Sequence, residues 1–109
     1  MKHCDPKAIS EHLAGDDELI AELGELFIAT YPSVMLELKE AIEQVNYSEI
    51  ERAAHTLKGM VANFFAAEIK QICFEMETMG QEKKIEGIKD KLVQAELNIN
   101  ELIEEIKCL

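Results

Sequence analysis

From Leu19 to Ile106 the apolar residues recur at steps of three and four, and Pro32 is the one proline in that span. Such spacing lines up one face of a 3.6-residue helix and fits no period-two strand. Leu, Ile, Ala, Glu and Lys dominate and tryptophan is absent, a mixture that favours helices over strands. Hydrophobic residues make up 48% of the 109 residues, enough for one modest core. The expectation is an all-α fold in one domain, residues 1–109. It takes the form of an up-down antiparallel four-helix bundle with a short extra N-terminal helix.

Punctuation along the chain divides it into segments. Asp5-Pro6 reads as a helix start, with Asp5 as cap and Pro6 where a missing N–H costs nothing. That helix runs to about Leu13 and ends at Gly15, and Asp16 or Asp17 caps the next. Leu19, Leu23, Leu26, Phe27 and Thr30 form a stripe that resumes beyond Pro32 through Leu38, Ala41, Ile42 and Val45. The segment is either one helix kinked at Pro32 or two helices joined there. Asn46-Tyr47-Ser48 reads as a turn, with Ser48 as cap and Glu51 at capping-box spacing. Three further helices are expected: Glu49 to about Asn63, Ala66 to Met79 with Gly80 as stop, and Lys83 to Lys107. The last carries Ile85, Ile88, Leu92, Ala95, Ile99, Leu102 and Ile106 as its apolar face, with Gly87 a soft spot near its start.

Charge and cysteine content exclude several classes. Twenty-two acidic against 11 basic residues give a formal net charge of −11, which repels phosphate backbones and argues against nucleic acid as a partner. Cys4, Cys73 and Cys108 are an odd number and far apart, so neither a disulfide framework nor a zinc ribbon is implied. Reduced thiols in the cytoplasm are the simplest account, with Cys73 a small core residue. No continuous apolar run has the length of a membrane span, and no apolar run follows Met1-Lys2-His3-Cys4 as in a signal peptide, so no membrane contact is expected. His3, Cys4 and His12 match no common zinc spacing, and the N-terminal segment is expected to fray. Met76, Met79 and Phe74 read as core, as do Phe64 and Phe65.

The segment Glu49–Asn63 carries the chemistry. On a wheel of roughly 100° per residue with Ile50 at zero, Ile50, Ala54, Leu57, Val61 and Phe64 fall within about 40° and form the buried stripe. His55 falls at roughly 140°, away from the core. Gly59 and Ala62 continue its face, leaving the surface beside the imidazole nearly bare, while Lys58 and Arg52 flank it. A glycine inside a helix costs about 1 kcal/mol against alanine and calls for a compensating reason. Clearance for a docking protein is one reason; close helix packing on an otherwise solvated face is the alternative. Neutral imidazole is a nucleophile near neutral pH and can attack phosphorus, and Lys58 can neutralise part of the charge that arrives. No carboxylate cluster for magnesium stands beside His55, so the partner must bring the metal.

The run Ala54-His55-Thr56-Leu57-Lys58-Gly59, continued by Ala62-Asn63-Phe64 and Ala66, resembles the signature of histidine-containing phosphotransfer (HPt) domains. The likeness extends over nearly the whole chain and is nearest to the C-terminal HPt domain of hybrid sensor histidine kinases. It implies a monomeric phosphorelay intermediate that takes a phosphoryl group from a receiver-domain aspartate on His55 and passes it to another receiver. It also implies that Lys58 is the phosphate-side cation, that Gly59 gives access and that Asn63 supports the helix end. With Ala62 and Arg52, Gly59 forms the face on which a receiver docks. No bound cofactor is implied; Mg²⁺ comes with the partner receiver, and a hybrid kinase in the same parent chain can supply that receiver. ATP-dependent kinase activity is not implied. Two positions depart from the family pattern. Met60 replaces a small residue and points to added packing, and Phe65 stands where glycine is usual, which disfavours a left-handed backbone there. The competing reading is a helical docking or inhibitor module that binds receivers or kinases without carrying phosphate. A kinase dimerisation half is a third, and the chain has no room for the nucleotide-binding domain it requires.

Overall fold

The computed structural model describes all of residues 1–109 as five helices and no strand: α1 Pro6–His12, α2 Asp17–Glu43, α3 Tyr47–Ala62, α4 Ala67–Glu82 and α5 Ile88–Lys107. At about 1.5 Å per residue, the 27 residues of α2 span the long dimension of a 42 × 21 × 20 Å body. Helix α2 packs on α3, α3 on α4 and α4 on α5, and α5 returns to α2, while α1 leans on α2. Gly24 lies against Ile106, Lys39 pairs with Glu96 and Lys89 with Glu43, so α2 and α5 lie alongside each other along most of their length.

The core holds the stripes expected for α3 and α5: Ile50, Ala54, Leu57, Val61 and Phe64 are fully buried, as are Ile88, Ala95, Ile99 and Leu102. Helix α2 differs. Its buried face is Gly24, Phe27, Tyr31, Met35, Leu38, Ala41 and Ile42, while Leu19, Leu26, Thr30 and Val45 are exposed. By length and composition α2 is apolar enough to cross a membrane; in this fold its apolar surface is divided between the core and an exposed side. The helix runs unbroken through Pro32, which cannot donate to the Ile28 carbonyl.

Several boundaries move for local reasons. Asp5 and Asp16 cap as expected, accepting from the N–H groups of Ala8 and Leu19. The cap of α3 is Asn46 rather than Ser48: left-handed Val45 turns the chain, Asn46 accepts from Glu49 N–H, and the Ser48 hydroxyl donates to Asn46. Gly80 does not stop α4. The helix continues to Glu82 and ends at left-handed Lys83, and Gly80 instead serves close approach of α4 to the α3 backbone. A Cβ on Gly80 would lie 2.7 Å from the Glu51 nitrogen and 2.9 Å from the Tyr47 oxygen. Backbone does not yield as a side chain does, so Gly80→Ala is expected to destabilise the fold by about 3 kcal/mol, read as a lowered denaturation midpoint with unchanged slope. Helix α5 starts at Ile88 rather than Lys83, after left-handed Gly87.

The junction after α3 also departs from expectation. Phe65 adopts φ 56 although it is not glycine, at a cost of about 1–2 kcal/mol. Its N–H donates to the Ala62 carbonyl and that of Ala66 to Val61, the pairing of a Schellman helix end, and the His12 ring meets Phe65 edge-on. The N-terminal segment is tied down rather than frayed: the His3 and Cys4 N–H groups donate to the Glu105 carboxylate, and Asp5 N–H donates to the Phe64 carbonyl. Cys4 and His3 are both buried.

Candidate functional site

Helix α3 offers one face to solvent, and His55 stands in its middle with 67% of its side chain exposed. Gly59, one turn on, is exposed, and a Cβ built there would meet nothing within 4 Å. Internal packing therefore gives no reason for that glycine, unlike Gly80, and the helix-packing alternative fails. What remains is a bare strip from His55 past Gly59 to half-buried Ala62.

Helix α4 contributes the partner that the sequence did not single out. Glu77 has one carboxylate oxygen 2.7 Å from His55 Nδ1, and the Lys58 ammonium donates to the other at 2.6 Å. Glu77 is only 15% exposed and Lys58 22%, so this pair lies at the wall between α3 and α4 beneath the exposed ring. Burial opposes ionisation of Glu77, yet the hydrogen bonds from Lys58 and His55 outweigh it and hold the carboxyl below its usual range. An ionised carboxylate only accepts, so Nδ1 carries the hydrogen and, in the neutral ring, Nε2 carries the lone pair. No protein group bonds Nε2. Neighbouring Cys73 is buried, and burial with Glu77 nearby pushes its thiol up to about 12, so it stays protonated and out of the chemistry.

The lowered Glu77 pKa makes a stability statement. Its contribution is fully present above the ordinary carboxylate value of 4.5 and fades as pH falls through the lowered folded-state value. Wild type is expected to exceed Glu77→Gln in unfolding free energy at neutral pH, with the gap closing below pH 4.5. Denaturant titrations across that range check it; a gap that widens on acidification contradicts the ion pair.

On the α2 side of the strip the surface is apolar. A cleft of about 60 Å³ is lined by residues including Leu23, exposed Leu26, Met60, Asn63 and Phe64. Met60 packs at the core edge, as its wheel position implies. Arg52 is placed differently from the sequence expectation: its guanidinium bonds Glu49 and Glu37, tying α3 to α2 rather than reaching toward the ring. Phe74, expected in the core, is 48% exposed and lies over Lys58, with 5.2 Å from the ammonium to the ring centroid.

The site is thus a helical bundle that presents a solvent-facing imidazole joined to a lysine through a shared carboxylate. The chain matches the Hpt domain family over residues 22–107 and belongs to that family. Hpt domains serve histidine phosphotransfer in two-component signalling and interact with receiver domains in phosphorelays. Searches among curated proteins and solved structures give no match.

Proposed function

We propose that this chain is a phosphorelay intermediate in which His55 takes a phosphoryl group from the aspartate of one receiver domain and passes it to the aspartate of another. The observation that carries this is the one-sided ring: Nδ1 bonds Glu77, while Nε2 has no protein partner and Gly59 and Ala62 follow it along the exposed face. The Nε2 lone pair attacks the phosphorus of an aspartyl phosphate. An N–P bond forms as the P–O bond breaks, and the aspartate leaves as a free carboxylate. Nδ1 keeps its hydrogen, and Glu77 offsets the positive charge the ring acquires. In the second step a carboxylate oxygen of the next receiver attacks phosphorus, the N–P bond breaks and its electron pair returns to Nε2.

Lys58 stands beside the ring to offset charge on the transferred group, since such a transfer is mainly positioning and charge stabilisation. Glu77 has both oxygens engaged and no second carboxylate bonds this cluster, a poor fit to a magnesium site, so the metal is assigned to the receiver. The receiver is taken to cover the bare strip and, toward the C-terminal end of α3, the apolar Leu26 cleft that Met60 and Asn63 line. Arg52 would border that face from its pairs with Glu37 and Glu49. We place the domain in the cytoplasm as a monomer, alone or joined to a hybrid kinase. We also read the four long helices as an up-down antiparallel bundle, supported by the pairing of Gly80 with Tyr47 and Glu51 and of Glu77 with Lys58. A docking module without transfer has no use for a ring whose Nδ1 is held by a largely covered carboxylate while Nε2 stays free of any protein partner.

The test mixes the purified chain with a phosphorylated receiver and magnesium and follows acid-labile label on the chain. Wild type is expected to take label, and Lys58→Ala to take it about 10-fold more slowly without losing it. Equal rates for the two would remove Lys58 from the site.

A further inference from the structure

Nothing in the bundle's packing accounts for an aromatic ring at position 74. The buried residues of α4 are Ile69, Ile72, Cys73, Met76 and Gly80; Phe74 lies off that face and is nearly half exposed. Its specific contact is with the Lys58 ammonium, 5.2 Å from the ring centroid and within cation–π range. Glu77 is three residues further along α4, so ring and carboxylate meet the same lysine from one helix.

We infer that Phe74 is a positioning residue acting through Lys58, holding the ammonium beside His55 before the phosphoryl group arrives; this rests on the proposed acceptance of phosphate by His55. A lysine on a four-carbon stem must lose rotamer freedom to serve one site, and a group that confines it beforehand lowers that cost. Glu77 confines Lys58 but also competes with the phosphoryl group for its charge. An aromatic face attracts the cation without a formal charge of its own. The ammonium can therefore shift from carboxylate toward phosphate while remaining against the ring.

A small donor separates this role from docking. Phosphoramidate can phosphorylate an imidazole without a receiver: Nε2 attacks phosphorus, the N–P bond to the ring forms, and the donor's P–N bond breaks to release ammonia after protonation. Initial rates of His55 phosphorylation are measured for wild type, Phe74→Leu, Phe74→Tyr, Lys58→Ala and the double variant Phe74→Leu/Lys58→Ala, with thermal unfolding of each. Phe74→Leu is expected to slow the reaction about three- to tenfold. Phe74→Tyr restores the rate, and Phe74→Leu adds nothing once Lys58 is alanine. A Phe74→Leu rate equal to wild type, or a loss that persists in the Lys58→Ala background, overturns the inference. So does a loss seen with receivers but not with phosphoramidate, which would make Phe74 a docking contact. A wild-type chain that takes phosphate neither from phosphoramidate nor from receivers overturns the acceptor role of His55 as well. If wild type reacts and Phe74→Leu matches it, only the part given to Phe74 falls.

Discussion

Replacing His55 with glutamine is expected to abolish phosphoryl acceptance while leaving the bundle folded. The side chain is two-thirds exposed, and its hydrogen bond is to Glu77, so the fold has little to lose. An exposed substitution of this kind shifts stability by about 0.5 kcal/mol or less. Glutamine can still donate to the carboxylate through its amide, so the Lys58–Glu77 pair need not collapse. It has no ring nitrogen and no nucleophile of comparable strength, and the cysteine nearest the site, Cys73, is buried and protonated. Label from a phosphorylated receiver should therefore be absent from His55→Gln by gel or mass measurement, while helicity and unfolding midpoint match wild type. Label that persists would assign the acceptor to another residue.

The second large effect belongs to Gly59. A Cβ there meets nothing within 4 Å and the position faces solvent, so Gly59→Lys should fold at least as well as wild type and gain up to about 1 kcal/mol from removing a helical glycine. On the proposed docking face the same side chain would stand in the strip between a receiver and Nε2. Transfer from a phosphorylated receiver is expected to fall by about 100-fold or more, a loss of roughly 2.7 kcal/mol in the transition state. Phosphoramidate, small enough to pass beside the lysine, should lose only a few-fold. Equal losses with both donors would point to damage at the ring itself, and no loss with either would show that receivers approach from elsewhere.

The contrast between Gly59 and Gly80 shows where sequence reading stops. Both are glycines in helices, and local spacing treats both as punctuation or clearance. Only the crossing of α3 and α4 tells them apart: one would press a Cβ into backbone and the other faces open space. The histidine face was legible because it depends on one helix, whose buried stripe fixes where every other residue points. Glu77 was not, because its meeting with His55 and Lys58 depends on the register between two helices, 22 and 19 residues apart in sequence. An acidic residue on α4, one among 22, carries no local mark of that meeting. The same holds for Phe74, whose apolar character read as core until its helix was rotated into place. Phe65 differs: the hydrogen bonds that close the helix end, Phe65 N–H to Ala62 and Ala66 N–H to Val61, overrode the preference of a non-glycine residue against a left-handed backbone.

The most direct test locates the phosphoryl group on the ring. Wild-type chain, labelled by a phosphorylated receiver in magnesium, is examined by phosphorus and nitrogen NMR and then offered to a second, unphosphorylated receiver. The geometry predicts a single phosphohistidine at His55, bonded through Nε2 with Nδ1 still protonated against Glu77, whose phosphoryl group moves to the second receiver. Phosphate on Nδ1, on a carboxylate or on any other residue would contradict it, as would a phosphohistidine that no receiver can discharge.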